Sequence, residues 1–192
     1  MTYDIILKQG LEKDSLTFKK VKSKSEIEFN PKIDGYLIEA EEKEIRKIVE
    51  SLKHEKKLIA VLARDNEHNR RMLETCKINY LVFPEGNYIE KKDTLRQRDS
   101  GLNHVLAKIA KENNISIVIN FSEVLKWNEI ERAKILGRIM QNIRICRKVR
   151  CKIKIATFAE SKEQLRNVYD LKAFAFSLGM SSQQANDAFV FP

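Results

Sequence analysis

Two stretches of the 192-residue chain concentrate side chains that bind anions. The first starts at Arg96. Asp99 or Ser100 could cap a helix that follows, and the free backbone N–H groups at such a helix start favour an anion. Asn103 and His104 would lie in its first turn, where they either contact the bound group or complete the cap. The candidate site residues of this stretch are Arg96, Arg98, Ser100, Asn103 and His104.

The second stretch holds cations without carboxylates. Between Arg132 and Ala159 there are nine basic residues and no acidic one, which equals the formal net charge of +9 of the whole chain. Such a density indicates a polyanionic partner, because each Lys or Arg that meets a phosphate releases condensed counterions. A solvated helix face explains the same composition, and charge alone leaves both interpretations open.

Helical periodicity divides this second stretch into two faces. Apolar residues recur every three or four positions at Ala133, Leu136, Met140, Ile143 and Cys146, which predicts a core-facing stripe. Polar and cationic residues recur along another face, where Arg side chains suit phosphate oxygens bidentately. Asn142 adds a neutral donor. The candidate site residues of this face are Lys134, Arg138, Gln141, Arg144, Arg147 and Lys148.

No constellation for self-sufficient catalysis is present in the sequence. The three histidines form no His-x-His or His-x-x-x-His pair, and no glycine-rich phosphate loop or Gly-x-Ser-x-Gly motif occurs. The three cysteines, Cys76, Cys146 and Cys151, contain no Cys-x-x-Cys, which argues against zinc or disulfides and predicts a reducing, cytoplasmic location. Cys146 is interpreted as a buried structural thiol. No apolar run reaches the roughly 18 residues that cross a membrane.

Short apolar runs rich in Ile and Val alternate with amphipathic segments, which predicts parallel strands connected by helices. The strands are expected at 3–7, 35–40, 57–63, 80–84, 115–121 and 153–158, with 16–21 as a further candidate, and the helices at 41–54, 66–76, 101–112, 129–149, 163–178 and 182–189. Residues 15–32 read as a basic surface loop or an edge strand. The expected fold is α/β, a compact TIM-barrel-like (β/α) domain with fewer than eight full units, formed as a single domain by residues 1–192.

Three separated motifs resemble one known family. Residues 98–110, Arg-Asp-Ser-Gly-Leu-Asn-His-Val-Leu-Ala-Lys-Ile-Ala, are similar to the signature of archaeal ribonuclease P protein component 3, the counterpart of the thirty-kilodalton eukaryotic subunit. Residues 138–148, Arg-Ile-Met-Gln-Asn-Ile-Arg-Ile-Cys-Arg-Lys, resemble the long basic helix of that family. The C-terminal segment resembles it at Gln164-Leu-Arg166, Asp170-Leu-Lys-Ala-Phe174 and Leu178-Gly-Met180.

The resemblance implies a TIM-barrel-like fold and a role in removing the 5′ leader from precursor tRNA. In that family the RNA subunit cleaves the phosphodiester bond with magnesium held by the RNA, so this chain is expected to bind no cofactor and to be inactive when isolated. The implied partners are the ribonuclease P RNA, protein component 2, other ribonuclease P proteins and, indirectly, precursor tRNA, with no membrane. Family barrels resemble metal-dependent hydrolases, whose first strand usually carries His-x-His, and residues 3–7 contain no histidine.

Two alternatives come from other functional classes. The chain could be a stand-alone (β/α)-barrel enzyme that acts on a small phosphorylated molecule, with an anion site near Ser100 and Gly101. It could also be a protein-interaction module whose charge is incidental.

Overall fold

The computed structural model describes residues 4–8, 14–28, 30–86, 93–94 and 97–192. Its described strands form one parallel sheet in which each strand pairs with the next along the chain. All residues of the third, fifth and sixth strands are buried, as the continuous apolar runs predict for strands covered on both faces. The strands are β1 (Asp4–Ile6), β2 (Ser15–Val21), β3 (Gly35–Ile38), β4 (Leu58–Leu62), β5 (Tyr80–Val82), β6 (Ser116–Asn120) and β7 (Ile153–Ala156).

Backbone hydrogen bonds join β1 to the residues that follow β7 and close the sheet into a barrel. Ile6 pairs with Ala159, and the Phe158 N–H donates to the Ile5 carbonyl at 2.8 Å. The buried Asp4 carboxylate fastens this seam, because it accepts the Thr157 N–H at 2.7 Å and the Thr157 hydroxyl. The prediction of a TIM-barrel-like fold with fewer than eight units is therefore confirmed.

The helices lie outside the sheet, and six of their N-caps are Asp, Asn or Ser side chains that accept a backbone N–H. Helix α3 packs between α2 and α5. Short 3₁₀ turns occur at Lys24–Glu26 and Lys162–Gln164. The α-helices are α1 (Glu42–Ser51), α2 (Asn66–Thr75), α3 (His104–Glu112), α4 (Phe121–Lys126), α5 (Glu129–Val149), α6 (Val168–Ser177) and α7 (Ser182–Asp187).

Several predictions about the elements are corrected by the structure. The interpretation of 15–32 as an edge strand is wrong, because β2 lies inside the sheet and pairs with both β1 and β3, whereas the candidate strand at 16–21 is confirmed. The described residues after β2, 22–28 and 30–32, form bends, turns and a 3₁₀ turn at the surface, as predicted for a surface loop. Helix α4 was not expected, since it starts directly at the end of β6, where Asn120 is both the last strand residue and the N-cap. Helices α3 and α6 also begin later than predicted.

The C-terminal residues cover the N-terminal ends of the strands. The Phe191 ring packs edge-on against Tyr80 of β5 with the centroids 6.1 Å apart, and Tyr80 packs against Phe18 of β2 at 6.3 Å. Burial raises the pKa of Tyr80 to about 12, so its hydroxyl stays protonated. Within the described residues, no helix is both long enough and apolar enough to span a bilayer.

Candidate nucleic-acid interface

The loop from Arg98 to Asn103 connects the region beyond β5 to α3, and the side chain of Gln141 on α5 holds its backbone. The Gln141 Oε1 accepts the Arg98 N–H at 2.9 Å, and its Nε2 donates to the Arg98 carbonyl at 2.8 Å and to the Ser100 hydroxyl at 2.9 Å. One amide therefore fixes the backbone on both sides of Arg98. We call residues 98–103 the clamped loop.

Asn142 continues this clamp in the interior. Its side chain is fully buried, and its Nδ2 donates to the Ser100 carbonyl at 3.1 Å and to the Glu85 carboxylate at 2.8 Å. Ser100 is itself only 1% exposed, and its hydroxyl donates to the Leu102 carbonyl at 3.1 Å. The expectation that Ser100 and Asn142 present donors at the surface is wrong, because both are enclosed between the loop and α5.

Arg138 is buried as well, with its side chain only 7% exposed. Its Nε donates to both Asp93 carboxylate oxygens at 3.1 and 3.2 Å, and its Nη1 donates to the Glu85 carbonyl at 3.3 Å. Asp93 also accepts the Asp99 N–H at 2.9 Å. The placement of Arg138 in an exposed cationic row is therefore corrected: its charge is matched inside the protein and supports the loop.

The other side of the clamped loop is held by α2. Asn69, fully buried, donates from Nδ2 to the Gly101 carbonyl at 3.1 Å and to the Arg64 carbonyl at 3.0 Å. Gly101 adopts φ +68°, and a Cβ there would lie 2.1 Å from the Pro84 carbonyl oxygen. Only glycine satisfies both the backbone angle and this close approach. An open anion site at Ser100 and Gly101 does not fit this packing.

Arg98 lies across α5 at Gly137. A Cβ on Gly137 would meet the Arg98 Cζ at 2.6 Å, so the guanidinium rests on the helix backbone. The Arg98 side chain stays 44% exposed, and its Nη1 is 3.8 Å from the Asp93 carboxylate. The clamp therefore fixes the direction of a cation that remains open to solvent.

Helix α3 is capped by Asn103, whose Oδ1 accepts the Leu106 N–H at 2.9 Å. The prediction that Asp99 or Ser100 is the cap is wrong, since the helix begins only at His104. His104 is exposed in the first turn, next to the clamped loop. Arg96 lies outside the described residues.

The core face of α5 differs from the predicted stripe. Ile135, Ile139, Ile143 and Cys146 are buried, whereas Ala133 is exposed. Two polar residues, Arg138 and Asn142, belong to the same buried face at helical spacing. Leu136 and Met140 are only partly buried. The helical periodicity of buried residues is present, but it includes polar residues whose side chains form hydrogen bonds with the loop region.

The remaining cations of α5 are exposed and differ in their partners. Lys134 forms a surface ion pair with Glu131 at 3.0 Å. Arg147 donates from Nε to the Gln184 Oε1 at 2.9 Å and from Nη2 to the Gly179 carbonyl. Arg144 and Lys148 are exposed and have no side-chain partner within the part of the chain that the structure describes. RNA contact by the predicted residues stays a prediction.

Two thiols lie below the surface of α5. Cys146 is fully buried, and its contact with the Cys151 thiol, together with burial, raises its pKa. The interpretation of Cys146 as a structural thiol is confirmed by this burial, since a protonated, enclosed thiol is a poor nucleophile. Among the described residues, no group of three or more His, Cys, Asp or Glu could hold a metal ion.

The mouth of the barrel lies at the C-terminal ends of the strands, where substrates of (β/α) barrels bind. A cavity at this end is lined by Leu37 of β3, Leu62 of β4 and Asn120 of β6, and its volume is about 20 Å³. About one water molecule fits in such a space. A phosphorylated metabolite does not fit in this cavity.

Sequence reasoning missed the residues that hold the loop from a distance: Asn69, Glu85, Asp93 and Gly137. Gly137 carried a usable signal, because a glycine inside a long helix weakens it and commonly has a packing reason. The other three are single polar residues whose partners are distant in the chain.

The chain matches the family model described as RNase P subunit p30 over residues 17–190. It is 31% identical over 136 residues to Ribonuclease P protein component 3 of Methanocaldococcus jannaschii, an alignment that covers 71% of this chain and 55% of the relative. Relatives of the same name from Methanococcus maripaludis and Methanococcus vannielii are each covered to a similar extent. The chain thus spans about half the length of the curated relatives it matches.

A chain in the cryo-EM structure of archaeal ribonuclease P with mature tRNA is similar over 96% of this chain and 85% of its own length, with a TM-score of 0.75 and 25% identity. A Xaa-Pro dipeptidase is similar over 82% of this chain and 42% of its own, with a TM-score of 0.56 and 15% identity. The second likeness concerns the barrel fold alone.

Proposed function

The chain belongs to the RNase P subunit p30 family, and from that membership we propose that it is a protein subunit of ribonuclease P. In this role it supports a catalytic RNA that removes the 5′ leader from precursor tRNA, together with protein component 2 and other ribonuclease P proteins. The observation that carries the proposal is the extent of the family match, which includes both the clamped loop and the whole of α5.

The chain's part in this function is to bind and position RNA, while the RNA supplies cleavage with the magnesium that it holds. Two features support this division. The cavity that described residues form at the barrel mouth has room for about one water. Asp93 and Arg138, next to the clamped loop, form a largely buried ion pair, so this pair is used to hold the loop and is not open to a substrate.

Within this function the clamped loop presents Arg98 and His104. Gln141 fixes the backbone of Arg98, and Gly137 leaves room for its side chain, so the guanidinium is held half-exposed, and Asp93 at 3.8 Å is its one carboxylate partner among the described residues. Its solvent-facing N–H groups suit a phosphate. His104 is exposed in the adjacent first turn of α3. A side chain that is held in place before binding loses less conformational entropy when the RNA associates.

Reconstitution tests the proposal. The protein is combined with the cognate ribonuclease P RNA, component 2 and the other protein subunits, and cleavage of precursor tRNA is measured at limiting magnesium. We expect a higher cleavage rate with this protein than without it. The Arg98→Ala variant should lose part of the stimulation and keep its melting temperature, because Arg98 is partly exposed. No stimulation by the folded wild-type protein contradicts the proposal.

A further inference from the structure

A groove at the N-terminal end of the barrel lies between the C-terminal end of α5, the start of β7 and α7. Its volume is about 680 Å³. We call it the α5–α7 groove. Four cations line it, Arg147, Arg150, Lys152 and Lys154, against one carboxylate, Asp187, among the described residues that form its wall.

These cations are held by neutral acceptors and retain unused donors. Arg147 donates two of its five N–H groups, to Gln184 and Gly179. Lys154 donates to the Asp187 and Val190 carbonyls, and Lys152 donates to the Asn114 Oδ1 at 2.8 Å. Because none of these acceptors carries a full charge, Asp187 is the one carboxylate among the described lining residues that offsets the four positive charges, and the groove keeps a net positive charge.

Arg150 adds a further cation, and it does so at a left-handed backbone position where glycine or asparagine is more common. It is the C-cap of α5 and adopts φ +60°. Its side chain is exposed and has no acceptor within the described part of the chain. Arg150 therefore completes a wall of cations beside Lys152.

A second groove at the same end of the barrel carries a smaller excess of positive charge. It lies between α1 and α2, has a volume of about 390 Å³ and is lined by the four cations Arg46, Lys53, Lys57 and Lys77. Two carboxylates, Glu50 and Glu55, share its wall, and Lys53 pairs with Glu50 at 3.0 Å. Two of these four cations, Arg46 and Lys53, are paired with carboxylates, whereas no salt bridge is formed by the four cations of the α5–α7 groove within the described residues.

We propose that the α5–α7 groove binds phosphate groups of an RNA strand, as a contact separate from the clamped loop. The volume lies in the range of sites that hold nucleotide-sized groups. Val190, 43% exposed, gives the groove an apolar surface that a ribose or base can contact. The inference rests on the proposed function, since it assigns a further surface for the RNA partner.

The salt dependence of RNA binding tests this assignment. The Arg150→Asn, Lys152→Gln double variant removes two charges, and asparagine tolerates the left-handed backbone of Arg150. Association with the ribonuclease P RNA is measured over a series of monovalent salt concentrations. Each phosphate contact contributes roughly 0.7 to 0.9 to the slope of log K against log salt. We therefore expect the slope to fall by about 1.5, with an unchanged melting temperature.

The matched control is the Lys53→Gln, Lys77→Gln double variant, which removes two charges from the second groove at the same end of the barrel, where two cations are paired with carboxylates. Its slope should fall by less than half as much. Equal slopes in wild type and groove variant overturn the proposal, and so does a groove variant that loses a protein subunit while its RNA slope is unchanged. Saturation of the groove by inorganic phosphate without preference for RNA also overturns it.

Polyuridylate as a second probe separates this inference from the proposed function. If the wild-type protein fails to bind the ribonuclease P RNA but binds polyuridylate with a slope that the groove variant reduces, the proposed function fails and the groove assignment stands. If the ribonuclease P RNA is bound and the groove variant matches wild type with both RNAs, the groove assignment alone fails.

Discussion

The middle of α5 and its C-terminal end use arginine in opposite ways. Arg138 in the middle is buried and matched by the Asp93 carboxylate, whereas Arg147 and Arg150 at the end are exposed and meet only neutral acceptors or none among the described residues. A buried guanidinium requires a charged partner because of its desolvation cost, and an exposed one does not. Exposed cations without a carboxylate partner therefore indicate where an external anion can bind. The total charge of the helix does not indicate this position.

Among the variants that test this comparison, Arg138→Met is expected to change the stability most. Removal of the guanidinium leaves the Asp93 carboxylate, which also accepts the Asp99 N–H, without its main charged partner. We expect the free energy of unfolding to fall by about 3 kcal/mol, measured by urea denaturation. The salt dependence of RNA binding by the folded fraction should keep its slope. A loss below about 1 kcal/mol, within the range of a surface pair, would show that the Arg138–Asp93 pair is not a structural element.

A smaller effect is expected from Gln141→Leu, which removes three hydrogen bonds to the clamped loop. Because the site is partly exposed and water replaces some of these bonds, the stability should fall by about 1.5 kcal/mol. Hydrogen exchange of the Arg98 amide measures the local effect, and its protection should be lost. Gln183→Leu on the exposed side of α7 is the matched control and should leave that amide protected.

Gly137→Ala separates stability from function. The new Cβ would displace Arg98, whose guanidinium is the end of a flexible side chain, while alanine favours the helix over glycine. We expect a gain of up to about 1 kcal/mol in stability together with weaker RNA binding, measured by thermal melting and by titration. In an Arg98→Ala background the same change should leave RNA binding unaltered. Weaker binding in that background as well would refute the role of Gly137 in positioning Arg98.

The smallest effect is expected at Lys134, one turn before Arg138 on the same helix. Its ion pair with Glu131 is exposed on both sides, so Lys134→Gln should change the unfolding free energy by less than about 0.5 kcal/mol. Urea denaturation of the Lys134 and Arg138 variants under the same conditions compares the two losses in unfolding free energy. Similar losses for both residues would remove the distinction between a buried and an exposed cation on this helix.

The sequence predicted the strands and α5 well because buried parallel strands are nearly continuous apolar runs, and α5 keeps its full length of Glu129–Val149. The strand β2 was underestimated, since the consecutive residues Lys19 and Lys20 place a charged side chain on each face of the strand, and neither is buried. The core face of α5 was shifted because Arg138 and Asn142 occupy buried positions. Their burial depends on Asp93, Glu85 and Ser100, which lie more than 40 positions away.

The candidate site was predictable as a set of residue types and not as an arrangement. The sequence placed Arg98 and His104 next to a helix start, and both lie there. It could not show that Ser100 is enclosed, because that requires the amide of Gln141 on a helix distant in the chain. Polar side chains that contact a ligand and those that hold a loop have the same chemistry, and only the fold distinguishes them.

The seam between β1 and the end of β7 has a consequence for how the molecule is made. Asp4 and Thr157 are 153 positions apart, whereas each strand of the sheet pairs with its neighbour in the chain. During synthesis β1 to β6 can therefore pair as they emerge, while the free edge of β1 waits for β7. An open edge presents unpaired N–H and C=O groups to other strands. A nascent chain halted before residue 157 would leave that edge unpaired and open to strands of other chains until translation resumes.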